Sequence, residues 1–243
     1  MFKHTLAAAA LVLSVAGSAF AFQDDRIVVT GSRVMNPNLE IGRQSNVPHV
    51  HVVRRADNYL VRLEVLSDTR ERAPRRVEVR ETLTRILSAA ASNPDITIAM
   101  MGDTLIDLDA DMTEQIDIRE HRSREDVSTA TLYLKTSVRE TDNFDDPDQR
   151  IAGFLEGLST MGRAEVIPSG SYNLTITGGA DQYRNDVVRA IAADARFLRS
   201  TFGTDYAIEV ETDLHERVQL VQTGTLDLAI YLPYTTSIYL RDE

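Results

Sequence analysis

Two histidines one residue apart, His49-Val-His51, are the first residues in this chain whose types and spacing suit chemistry. On a strand they would share one face, and a neutral imidazole nitrogen is a good metal donor. No third ligand stands at a fixed spacing from them, so the pair reads more simply as the polar face of a strand. Asp107-Leu-Asp109-Ala-Asp111 is the second candidate, because alternate acids open a calcium loop. Such a loop needs glycine at its sixth position and glutamate at its twelfth, where Met112 and Ile118 stand. Acids spaced along a solvated strand account for the pattern better. The third candidate is basic: Arg70, Arg72, Arg75, Arg76, Arg80 and Arg85 crowd one segment that holds Glu71, Glu78 and Glu81. The excess positive charge would suit an anion such as a phosphate-bearing envelope lipid. Pairs within a helix, Glu78 with Arg75 and Glu81 with Arg85, would consume much of it. For hydrolysis, the chain has no Gly-x-Ser-x-Gly, His-Glu-x-x-His or Ser-x-x-Lys segment. These residues support no catalytic, cofactor-binding or metal assignment.

The compartment is written more plainly. Lys3 and His4 precede the apolar run from Leu6 to Val15, and Ala19-Phe20-Ala21 fits a small-x-small cleavage site. The run is too short to span a bilayer, so residues 1–21 read as a signal peptide cleaved after Ala21, with periplasmic delivery expected. Cleavage takes the formal charge from −11 to −12, which disfavours nucleic acid and anionic lipid as non-specific partners. No later stretch reaches the length of a membrane helix, so no integral span is expected after leader removal. The chain has no cysteine, so an exported domain here must be held by packing without disulfides.

Residues 22–46 are polar, with Gly31, Pro37 and Gly42 among asparagines, and read as a flexible arm. From residue 47 to 243 the periodicity becomes regular. Val47 to Val53 and Tyr59 to Leu66 alternate as strands, with Ala56-Asp57-Asn58 between them as a hairpin turn. Val79, Leu83, Ile86, Leu87 and Ala90 then follow helical spacing, and Asn93-Pro94 ends that helix. Ile96 to Met100 and Thr129 to Val138 read as strands, and residues 103–119 carry no decisive pattern. A second helix begins near Asp145-Asp146-Pro147, with Ile151, Phe154, Leu155 and Leu158 inward. Glu165 to Pro168 and Tyr172 to Thr177 read as two strands about a Ser169-Gly170 turn. The longest helix, about Asp181 to Phe202, carries Val188, Ile191, Ala192, Ala195, Leu198 and Phe202 on one face and stops at Gly203. Four closing strands follow. The total is three helices and eight to ten strands in antiparallel sheets, an α+β fold.

This order of elements resembles the SIMPL-domain family of exported bacterial proteins. The matching residues are Val61 to Leu66, the helix after Ala73, Asp95-Ile96-Thr97, Thr131 to Val138, the helix around Phe154, Tyr172 to Ile176, and Arg189 to Arg196 with Gly203 seven residues beyond. The resemblance implies one SIMPL-like domain over residues 47–243 built from two related strand-helix halves, an envelope location, and self-assembly into homo-oligomers. It also implies that the long helix packs on a sheet containing the strand at 129–138. It implies no catalytic residue.

Ile27, Val28, Val29, Thr30, Gly31, Ser32 and Arg33, with acids before them, resemble the TonB box of outer-membrane receptors. The resemblance implies capture of an extended peptide by a periplasmic TonB-type transducer through strand addition, for which four β-branched residues are suited. The same residues would equally serve as the first strand of the domain's own sheet. The expected function is therefore that of a non-enzymatic periplasmic protein acting through protein contacts. One alternative is a TonB-linked accessory protein with a captured arm. The other is an envelope hydrolase, which would need a concave pocket joining His49, His51 or His215 to a serine or a carboxylate.

Overall fold

The computed structural model describes residues 47–102 and 104–241. The expected leader, the arm at 22–46 and its segment Ile27 to Arg33 lie outside the described residues. Strands β1 (Val52–Arg55) and β2 (Asn58–Ser67) lead into helix α1 (Arg72–Ala91), followed by β3 (Thr97–Met101), β4 (Leu105–Leu108), β5 (Arg119–Glu120) and β6 (Ser128–Ser137). Helix α2 (Asp145–Glu156), β7 (Ala164–Thr175) and α3 (Arg184–Phe202) come next, and β8 (Tyr206–Thr212), β9 (Gln219–Gln222), β10 (Asp227–Tyr231) and β11 (Tyr234–Leu240) close the chain. Every strand pairing is antiparallel, so the fold is α+β.

The large sheet runs β4-β3-β6-β2-β7, with β5 also on β6. Helix α1 packs on it through Val79, Leu83, Ile86, Leu87 and Ala90, all buried, as their helical spacing predicts. Helix α2 buries Ile151 and Phe154 against β6. The second unit is a long bent hairpin. Its tip half pairs β9 with β10 and its base half pairs β8 with β11, and the irregular residues 213–218 and Leu232-Pro233 separate the halves. Strand β1 adds to the outer side of β10.

Three expectations are corrected. β1 and β2 do not form a hairpin, because the chain bends at Asp57 and passes from one sheet to another there, β1 pairing with β10 and β2 with β6 and β7. Ala56 N–H donates to Leu226 O at 2.8 Å, and Asp57 N–H donates to Thr175 O at 3.0 Å. Ser169-Gly170 is no turn, since β7 runs unbroken past β2 and only shifts register between the Val61↔Tyr172 and Leu63↔Pro168 pairs. The long helix packs on β8, β1 and β10, not on the sheet that holds β6. Its buried face is Val187, Ala190, Ile191, Asp194 and Ala195, while Ala192 and Phe202 are exposed.

The arginine-rich segment also works differently. Arg75 is 3% exposed and reaches out of α1: its Nε donates to Ser128 Oγ at 3.1 Å, its Nη1 to Asp126 O at 2.7 Å, and its Nη2 to Glu120 at 3.2 Å. Arg76 and Arg80 donate to the carbonyls of Ile118 and Thr113, so the uncertain stretch around residues 112–120 is strapped to the helix. Glu78 does not pair with Arg75. It accepts from Ser67 Oγ and Thr69 Oγ1, both at 2.6 Å, and from Arg163 N–H at 3.2 Å. Partial burial opposes its ionisation, but these hydrogen bonds outweigh that and hold its carboxyl below the usual range. Gly162, at φ +58°, lies against the same carboxylate, and a Cβ there would overlap it.

Because the folded Glu78 binds its proton less readily than the unfolded one, its stabilisation is complete above the ordinary carboxylate range and fades as pH falls through the folded value. Glu78→Gln should cost about 1–2 kcal/mol near neutrality and flatten the acid limb of a urea stability profile below pH about 4. Gly162→Ala should cost a similar amount at neutral pH, with an unchanged denaturant slope.

Candidate functional site

Where α3 passes the base of the long hairpin, the two elements leave a cleft of about 320 Å³ lined by Pro48, His49, Asp194, Leu198, Tyr234, Thr236 and Ile238. The geometry follows from periodicity. Asp194 continues the i, i+3, i+4, i+7 face of Val187, Ala190 and Ile191, so a carboxylate is carried inward on an apolar stripe. Tyr234, Thr236 and Ile238 alternate along β11 and share its helix-facing side. The chain enters past them at Pro48 and His49.

Asp194 is nearly closed off, with its side chain 5% exposed, and His49 Nε2 lies 3.3 Å from its Oδ1. His51 turns away and bonds through Nδ1 to Pro48 O at 3.0 Å. The bend at residues 49–50 precedes β1, so the two imidazoles do not share a strand face. Among the described residues no group of three or more His, Cys, Asp or Glu could hold a metal ion. Asp107 is taken by Lys135 Nζ across the β4-β3-β6 edge. His215 lies in the 213–218 connection, where its backbone N–H donates to Asp213 Oδ1 at 2.8 Å.

Burial raises the pKa of Tyr234, the nearby Asp194 charge raises it further, and the Val50 amide opposes both, so Tyr234 enters the cleft as a neutral phenol. Thr236 Oγ1 is shut off from solvent and has no hydrogen-bond partner among the described residues. A nucleophile needs a base within hydrogen-bond reach. The only hydroxyl of a Ser or Thr in the cleft is therefore not activated by His49, and a pocket that does join histidine to carboxylate lacks an assembled triad.

The cleft opens onto an apolar rim. Phe197 on α3 is 63% exposed and Leu240 on β11 64%, with Phe202 and Ile238 near 40%, whereas Tyr239 points to the opposite face of β11 and donates to Glu209. Strand β11 pairs with β8 alone, so its other edge is unpaired among the described residues. β8 carries Glu209 and Glu211, whereas Tyr-Thr-Thr-Ser-Ile-Tyr-Leu in β11 holds no charge, proline or glycine. An edge of that composition is a template for pairing with another strand.

Of these residues the sequence singled out His49 for chemistry and placed Asp194 only within a helix pattern. Tyr234 and Thr236 gave no signal beyond strand alternation. The readable clue was an acid on the buried stripe of the longest helix. No protein-family model matches the chain, and no curated protein matches it.

A buried hydroxyl without a partner costs about 1–3 kcal/mol. Thr236→Val keeps the shape and removes the orphan, so it should leave the fold unchanged or raise its stability by about 1 kcal/mol in urea titration. A loss of that size would show that Thr236 is already paired in solution.

Proposed function

We propose that this chain is an exported envelope protein, freed into the periplasm by loss of residues 1–21, which acts through protein contacts and not as an enzyme. The observation that carries this reading is the uncharged free edge of β11, which ends in exposed Leu240 and shares its cleft with Asp194 and Leu198 of α3, a helix that also exposes Phe197 and Phe202. An apolar rim around a cleft with unspent hydrogen-bonding capacity suits an added strand, whose main chain satisfies the edge and whose side chains enter the groove. Self-assembly and a second envelope protein both belong to this class of contact. The order of elements resembles SIMPL-domain proteins, but α3 does not pack on the sheet that holds β6, so the resemblance lends this reading no support. No helix among the described residues is long and apolar enough to cross a membrane.

A photo-crosslinking residue placed at Phe197 in the producing cell should yield a discrete heavier adduct that Leu240→Lys suppresses. The same group at Arg62, exposed on β2, should yield none. Equal yields at both positions, or neither a heavier adduct nor a crosslink within the chain at Phe197, would sink the contact-surface reading.

The Ile27 to Arg33 segment supports a second reading, an accessory protein whose arm is captured by a TonB-type transducer. A peptide of residues 22–35 titrated against a TonB C-terminal domain should then bind, and silence at millimolar peptide removes this alternative.

A further inference from the structure

We propose that the free edge of β11 is a docking site for the chain's own N-terminal arm, with Ile27–Thr30 pairing there as an added strand in the same molecule. This rests on the reading of β11 as a strand-capturing edge and names its occupant. The direction of the chain is the first argument. β1 runs antiparallel to β10, with Val52 opposite Ile230 and Arg55 opposite Asp227, on the side away from β9. Followed backwards from Val52, the chain therefore travels towards the end of β10 that continues into β11. It does so on the side away from β9, which is the side left open along β11, since β8 extends the β9 flank. Pro48 and His49 already line the cleft with Thr236 and Ile238. The described chain thus begins beside the open edge, not on the far face of the protein.

Reach and composition supply the second argument. Residues 31–46 separate the segment from Val47 and span up to about 50 Å when extended, while a seven-residue strand such as β11 is about 23 Å long. Gly31, Pro37 and Gly42 in that connection suit a chain that turns back, whereas Ile27-Val28-Val29-Thr30 is its β-branched run. Tethering makes the encounter intramolecular, with an effective concentration in the millimolar range, so a weak four-residue strand can compete with a free partner. Such docking would cover the uncharged edge until another partner displaces the arm.

The chain has no cysteine, so a designed pair reports without background. In the mature chain, Val28→Cys with Ser237→Cys should form an intramolecular disulfide under mild oxidation. The rate should be independent of protein concentration and at least tenfold above that of Val28→Cys with Gln219→Cys, where β9 is a comparable exposed edge. Equal rates for the two pairs overturn the proposal. So does a disulfide that forms only between chains at a concentration-dependent rate, which assigns the edge to a second copy. Crosslinking from Phe197 separates the levels: adducts that persist without arm pairing leave the contact surface standing and remove only this occupant, and loss of both removes the surface as well.

Discussion

The joint between β1 and β2, at Ala56 and the bend at Asp57, is the constraint on which the rest of the fold depends, because one stretch of chain serves two sheets there. At the change of partner every main-chain group must still find a bond. Ala56 N–H goes to Leu226 and Asp57 N–H to Thr175, while Asp57 O accepts from Val138 N–H at 2.8 Å. The Asp57 side chain accepts from Thr177 N–H at 2.8 Å. Segments distant in sequence are thereby brought to one point. Just beyond it Tyr59 stacks on Tyr172, with ring centroids 4.6 Å apart and planes 13° from parallel, and Phe144 leans on Tyr172 from outside. Across the joint the buried residues of both units form one hydrophobic cluster, from Val50 through Leu232. A chain without disulfides needs that continuity, since neither the bent hairpin nor α3 could bury its apolar face alone.

The cleft is a by-product of the same joint. Helix α3 must seal the face of β1 and β10, and small residues at Ala190 and Ala195 let it approach. The hairpin bends at Leu232-Pro233, so its base half follows the helix along β8, with Arg199 reaching Ile208 O at 3.4 Å. β11 is left standing off, and the gap contains Asp194. Desolvating a carboxylate is costly, and the half-exposed His49 offsets only part of that. Stability alone favours an apolar side chain at this position. A buried acid, a raised phenol and an orphaned hydroxyl within one gap are better explained by a polar main chain that enters it than by the needs of folding.

Much of the architecture was legible because it rests on local periodicity. The α1 stripe, the α2 inner pair and the β6 alternation follow from spacing alone. The failures came where pairing is non-local. Ala56-Asp57 resembles a turn by composition, but its bonds go to Val138, Thr175 and Leu226, far outside any local window. Ser169-Gly170 likewise resembles a turn by composition, but β2 pairs with both of its flanks and absorbs the irregularity as a register shift. The arginine cluster was assigned to intrahelical partners because their spacing fits, yet desolvated Arg75 finds better acceptors in the loop that it covers. Of the candidate site, His49 and the helix bearing Asp194 were visible. Their meeting was not, because it depends on the path of the chain before β1.

The other strand edges sharpen the case for β11. β1 carries Arg54 and Arg55, β4 carries Asp107, β8 carries two glutamates, and β7 has Pro168 and a register shift. β9 has only four residues with glutamine at each end, and β5 is two charged residues. Each carries one of the devices that keep an edge from recruiting a stranger: a charge, a proline, an irregularity or brevity. β11 has seven residues and none of these. If its edge faced only water, a single lysine would protect it at small cost to folding. That this edge alone among those described is left unguarded, beside a cleft with an unsatisfied hydroxyl, is what the proposed docking of a strand requires.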